Sequence, residues 1–136
     1  DMENGGKILK KIDVADKSGN NVVNSVPVSV VPITADGTSL ANYHGAIAYF
    51  ADYENKLWKL NLTEKGTLYS LQEIFDGEST STNGRRAMHD ITASIDTDNK
   101  LWLYYGTGDQ QQLQKESSDI AIADYITYII TYFIYF

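Results

Sequence analysis

Two histidines, an aspartate beside one of them, and a Gly-Thr-Gly are the residues of this chain whose types could do chemistry. His44 and the pair His89-Asp90 would suit acid–base transfer, in which an imidazole passes protons near neutral pH. No serine elbow, no His-Glu-x-x-His and no paired metal-ligand spacing accompanies them, so loop and strand-edge positions are the reading the residues support. Gly106-Thr107-Gly108 has the composition of a phosphate cradle, yet neither a lysine nor a helix start follows it. It reads instead as a tight exit from a strand, where the backbone turns and a Cβ would clash. Asn61-Leu62-Thr63 is a glycosylation triplet in form only, because it lies inside a predicted strand. Cysteine is absent, which removes a disulfide framework, a thiolate zinc site and a cysteine nucleophile together. No catalytic set results, and the expectation is a protein that is not an enzyme.

The elements that must position these residues are strands. The chain has 136 residues, enough for one compact core, with ten tyrosines, two tryptophans and only two prolines. Its formal net charge of −7 argues against nucleic acid, since phosphate binding needs clustered Lys and Arg. The only basic doublets, Lys10-Lys11 and Arg85-Arg86, read as solvated faces. The chain starts at Asp1 with no signal-like segment, which reads as a processed product or an excised piece.

Period-two alternation predicts strands over Lys7–Asp13, Gly45–Asp52, Lys56–Leu62, Thr67–Phe75, Ile91–Ile95 and Leu101–Tyr105. Val26–Ile33, VPVSVVPI, is nearly all apolar and reads as a strand buried on both faces, with prolines near its ends. Asp16–Asn24, Thr34–His44 and the stretch DGESTSTNGRR are polar connections. Asn55 is placed to supply the left-handed conformation of a tight hairpin between the strands ending at Asp52 and starting at Lys56. The fold class is all-β.

Asn-Lys-Leu-Trp occurs at 55–58 and again at 99–102, 44 residues later, within the blade period of a β-propeller. The first copy opens the third strand of a four-strand group and the second opens the second strand of the next. AYFAD (48–52) against YYGTGD (104–109) is the better-phased equivalence. The echo therefore reads as a shared hairpin habit, a polar turn followed by Leu-Trp packing between sheets.

The run AIAYFADYENKLWKLNLT resembles the blade signature of the PilC/PilY-type type IV pilus tip-associated proteins. That signature is an aromatic-x-Gly-Asp turn, then Gly-Asn-Leu-Trp, Lys or Arg, and Asp-Leu. Asp52, Leu57, Trp58, Lys59, Asn61 and Leu62 match in kind; Ala51 replaces the first Gly, and Asn55-Lys56 stand where Gly-Asn is usual. LWLYYGTGD is similar to the family's Trp-x-Tyr-Phe-Gly-Thr-Gly segment at Trp102, Tyr104, Tyr105, Gly106, Thr107 and Gly108. GGKILKKIDV is similar to the outer strand that closes a preceding blade. The likeness spans roughly residues 5–116.

The resemblance implies about two antiparallel four-strand blades of an incomplete β-propeller over residues 1–118, with Asp52, Asn55, Leu57, Trp58, Trp102, Gly106 and Gly108 as structural signature. It implies a non-enzymatic piece of a pilus-tip adhesin or pilus biogenesis protein, exported to the periplasm, outer membrane or cell surface. Its partners would be the rest of the parent propeller and pilus components or a host surface. Calcium loops of the Asp-x-Asp-x-Asn type belong to the family, since hard cations need several oxygens on a short turn. Asp96-Thr97-Asp98 begins that way but continues Asn99-Lys100, with lysine at a ligand position. Asp16-Lys17-Ser18-Gly19-Asn20 offers alternating oxygens with one carboxylate. Asp16, Asn20, Asp96 and Asp98 are thus the metal candidates, with no other cofactor expected. Two other classes stand beside this reading. Quinone-dependent dehydrogenase propellers share the blade style but stack their cofactor on an adjacent-cysteine disulfide, so this chain would supply only peripheral blades. The other is a free-standing β-rich protein-binding module.

Residues 119–136, DIAIADYITYIITYFIYF, form a separate hydrophobic tail after an abrupt change of composition at Ser117-Ser118, read as a truncated or aberrant end. Its last thirteen residues fall short of the roughly 20 apolar residues a spanning helix needs, and have the β-propensity of a sticky strand. Only through it would the chain meet a membrane. Removing residues 119–136 is expected to lower self-association of the chain at micromolar concentration without abolishing it, read by sedimentation velocity.

Overall fold

The computed structural model describes residues 3, 5–14, 25–34, 45–77, 79, 86–98 and 100–108. Asp16, Asn20, His44, Arg85, Asn99 and residues 119–136 lie outside them, so the loop candidates at Asp16 and Asn20 and the tail are expectations on residues not described. Six strands appear in the order β1 (Val31–Thr34), β2 (Ala46–Ala51), β3 (Lys56–Asn61), β4 (Leu71–Asp76), β5 (Thr92–Ile95) and β6 (Leu101–Tyr104). The first four form one antiparallel sheet in sequence order, β1-β2-β3-β4, and β5-β6 form a two-stranded antiparallel sheet. The described chain is all-β, as the alternation predicts, and the four-strand group is a sequential meander.

The registers follow from alternation. Val31 pairs with Tyr49 across β1 and β2, and Phe50 with Trp58 across β2 and β3. Between β3 and β4, Leu57 pairs with Phe75 and Trp58 with Glu73, which leaves Ile74 as an extra residue in a bulge. On one face of the meander, Tyr49, Ala51 and Leu57 are buried together with Val28 before β1. From the second sheet and its flanks Ala87, Ile91, Leu101, Leu103 and Tyr105 join the same cluster. One core therefore lies between the two sheets, and each large apolar side chain in it contributes about 2 kcal/mol by area.

Segments outside the strands fasten the sheets to each other. The Ser29 amide and hydroxyl donate to the two carboxylate oxygens of Asp90, at 2.7 and 3.1 Å. The Tyr53 amide donates to the Ser25 carbonyl at 2.8 Å, and the Arg86 guanidinium lies 4.3 Å from the centre of the Tyr53 ring. An isolated bridge pairs Ala87 with Thr107, extending the β5–β6 hairpin at its open end. Gly45, entering β2, has φ +96 and runs against the Leu62 carbonyl so closely that any Cβ would overlap it.

Four sequence expectations are corrected. Lys7–Asp13 is not a strand: its residues take no regular structure, and Ile8 and Leu9 are 79% and 61% exposed. The pairs Ile8-Leu9 and Lys10-Lys11 break its period-two alternation, so it offers no consistently apolar face to a sheet. VPVSVVPI is not buried on both faces. Strand structure begins only at Val31, Val28 is buried, and Val26 and Val30 are exposed, because β1 is an edge strand with one neighbour. The fourth strand starts at Leu71 rather than Thr67, since Thr67–Ser70 is a turn in which Tyr69 is left-handed at φ 63. Gly108 has open space around its Cβ position, so its φ of +147, not a clash, is what calls for glycine.

Tyr49 is fully buried and its hydroxyl has no hydrogen-bond partner among the described residues. Burial pushes this phenol up from 10.0 to about 12. Because the folded value is raised, the neutral phenol's contribution is complete below pH 10 and is lost as pH rises toward 12. Tyr49→Phe is expected to leave stability at pH 7 unchanged or slightly higher. It should also remove about 2–3 kcal/mol of the loss between those pH values, read from urea midpoints across the alkaline range.

Candidate functional site

The residues shared by the sequence echo and the family signature converge on the two hairpin ends. At the β2–β3 turn the Asp52 amide donates to the Lys56 carbonyl at 3.0 Å. In return the Asp52 Oδ1 accepts the Lys56 amide at 2.9 Å. Its Oδ2 accepts the indole Nε1 of Trp58 at 2.7 Å. The β5–β6 turn repeats the arrangement. The Asp96 amide donates to the Lys100 carbonyl at 3.0 Å, Oδ1 accepts the Lys100 amide at 2.9 Å, and Oδ2 accepts Trp102 Nε1 at 2.7 Å. The motif is Asp, then Lys four residues on, then Trp six residues on, in both copies. Geometry explains the spacing: the fourth residue is the first to return across the turn, and the sixth lies on the same side of the return strand as the carboxylate.

Each clip separates the faces of its return strand. Leu57 and Leu101 enter the core between the sheets, whereas Trp58 and Trp102 stand on the opposite face, half-buried over the turn. This corrects the expectation that Leu and Trp pack together between sheets; successive residues of a strand cannot share a face. Tyr104 is likewise on the outer side and 37% exposed, while Tyr105 is buried in the core.

The two sites differ in water access. Asp52 is fully buried and Asp96 is half-buried. Asn55, 2% exposed, adopts φ 66 as expected of a left-handed turn residue. Its amide group sits where a Cβ on Gly77 would be, and the Gly77 backbone N–H donates to the Asn55 carbonyl at 2.9 Å. At the second turn Asp96 also accepts the Asp98 amide at 2.9 Å. The Trp102 indole, followed by the Lys100 and Asp98 amides and the Lys100 charge, holds the Asp96 carboxyl below the usual aspartate range.

These contacts occupy the residues singled out for chemistry. The oxygens of Asp96 are engaged by three N–H donors, and Lys100, which stands at a cation-ligand position, places its Nζ 3.4 Å from Asp98 Oδ2. Among the described residues no three His, Cys, Asp or Glu side chains gather closely enough to hold a metal ion. His89 is exposed, and Asp90 beside it is bonded to Ser29. Asn61 organises the loop between β3 and β4. Its Nδ2 donates to the Lys65 and Thr67 carbonyls, both at 3.0 Å, and its Oδ1 accepts the Thr63 amide and hydroxyl at 3.0 and 2.7 Å. Gly106 is half-buried after β6. The indole–carboxylate bonds were not read from the sequence, although the Asp-x-x-x-Lys-x-Trp spacing was there in both copies to signal them. The Ser29–Asp90 and Arg86–Tyr53 contacts had no local signal.

Comparison of the chain with family models, curated proteins and solved structures finds no match in any of the three.

Trp58→Phe deletes one of the donors to the fully buried Asp52 carboxylate, and is expected to cost about 1–3 kcal/mol. Trp102→Phe should cost clearly less, because water reaches Asp96. Urea unfolding of the two variants at pH 7 measures both, and equal costs would contradict the difference in burial.

Proposed function

We propose that the chain is a non-enzymatic piece of a type IV pilus tip-associated adhesin or pilus biogenesis protein, acting in surface attachment as part of a larger β-propeller. In this reading β1–β4 is one blade and β5–β6 the first half of the next. The observation that supports it most is the sequential antiparallel meander β1-β2-β3-β4, followed by a second antiparallel pair, β5-β6. The residues that carry the family resemblance, Asp52, Leu57 and Trp58 and then Trp102, fall on two hairpins, β2–β3 and β5–β6, that carry the same Asp–Trp hydrogen bond, 44 residues apart. The two clips fall on different turns of a blade in this reading, between second and third strands and then between first and second, so they mark a shared hairpin unit; a blade also needs large side chains on the face turned toward a neighbour. The outward Trp102 and Tyr104 are such side chains, and the function would then be binding by an exported, multi-blade surface.

Deletion of the coding gene in the producing organism tests this. Fewer surface pili or weaker attachment to a solid surface, restored by the intact gene, is the expected result; unchanged piliation and attachment would overturn it. Quinone binding by the full-length protein, with an adjacent cysteine pair elsewhere in the same reading frame, would place these blades in the dehydrogenase class instead.

A further inference from the structure

Strands β5 and β6 are four residues each, and among the described residues each has the other as its sole partner in a sheet. A two-stranded ribbon of that size is marginal in water unless one face is packed away. The packed face carries Ala93, Leu101 and Leu103, with Ile91 and Tyr105 beside it, in the core shared with the meander. The meander has more to hold it. β2 and β3 each lie between two neighbours, and Tyr49, Ala51 and Leu57 are fully buried. Stability within one protein follows such differences, and units with fewer buried contacts open first.

The hairpin is tied together at both ends by its own residues. At the turn, Asp96 holds the Lys100 amide and the Trp102 indole. At the open end Ala87 bridges Thr107, and the Gly108 amide donates to the Arg86 carbonyl at 2.9 Å. None of these ties involves the meander, so the hairpin keeps its shape when the two sheets part.

Two polar fastenings to the meander side sit near the open end. Ser29 gives both its amide and its hydroxyl to the Asp90 carboxylate, and Arg86 lies over the Tyr53 ring. Val28 and Ile91, the chain neighbours of Ser29 and Asp90, are buried in the core, while Ser29 and Asp90 themselves are exposed. The pair therefore spans the rim of the core. Hydrogen bonds to a carboxylate are about twice as strong as neutral ones, so this contact resists parting more than an ordinary rim contact would.

We propose that the β5–β6 hairpin, with its flanks at Arg86 and Gly108, opens from the meander as one rigid flap, latched by the Ser29–Asp90 pair. Opening uncovers Leu101 and Leu103 on one side and Tyr49 and Leu57 on the other, without breaking the pairing of β5 with β6. The inference stands on where the ties and the fastenings lie, and does not depend on whether the sheets are propeller blades.

Native-state hydrogen exchange of the full chain at pH 7, in low concentrations of urea, tests it. The paired amides of β5 and β6 are expected to open together, and to exchange about tenfold or more faster than those of β2 and β3. Asp90→Ala removes the latch and is expected to speed exchange in β5 and β6 by a further factor of about ten or more, while β2 and β3 keep their wild-type rates. Ser29→Ala leaves the amide donor in place and is expected to act in the same direction with a smaller factor. The unchanged rates in β2 and β3 also verify that the variants fold. Exchange of all six strands as one unit, an Asp90→Ala effect spread equally over both sheets, or no effect at β5 and β6 would each overturn the proposal.

Discussion

A carboxylate taken out of water has to be met by donors, and the Asp52 side chain meets two of them at a single hairpin. Its oxygens take the Lys56 amide and the Trp58 indole, while its own amide closes the turn onto the Lys56 carbonyl. If either side-chain contact were lost, a buried charge would be short of partners, an expensive condition in a low-dielectric setting. The turn geometry is therefore dictated by electrostatics rather than by loop length alone. From it follow the register of β2 on β3 and the assignment of Leu57 to the core and Trp58 to the opposite face.

The same requirement is met a second time at Asp96, in a wetter setting, by the Asp98 and Lys100 amides and the Trp102 indole. Two copies of one hydrogen-bonding solution, on hairpins of different sheets, place Leu57 and Leu101 on opposite sides of one core. The core is closed by contacts from segments that are not strands. Ser29 reaches Asp90, and Tyr53 is held between the Ser25 carbonyl and the Arg86 guanidinium. Those few links bridge sequence separations such as that from Ser29 to Asp90. They lie within a protein whose whole stability is expected to be about 5–15 kcal/mol.

The outer faces and edges carry what the core does not need. Trp58 and Trp102 are pinned by their indoles yet half-buried, and Tyr104 and Ile95 remain exposed. Pinned aromatic side chains lose little further entropy on contact.

Alternation and turn chemistry are local properties, so the sequence by itself determined the all-β class, the four-strand meander and the left-handed Asn55 between β2 and β3. It also contained the clips, since Asp, Lys and Trp at fixed offsets are enough to close each turn. What no window of sequence specifies is which pattern finds a partner. KILKKID and KLWKLNL both read as amphipathic strands, yet only the second lies between two strands and becomes one. VPVSVVPI is as apolar as a central strand but sits at an edge, so half of it is left in water. Those outcomes, the bulge at Ile74 and the Ser29–Asp90 link were decided by tertiary structure. Pairing and burial depend on neighbours distant in the chain, and a residue's own preference is worth less than the contacts those neighbours supply.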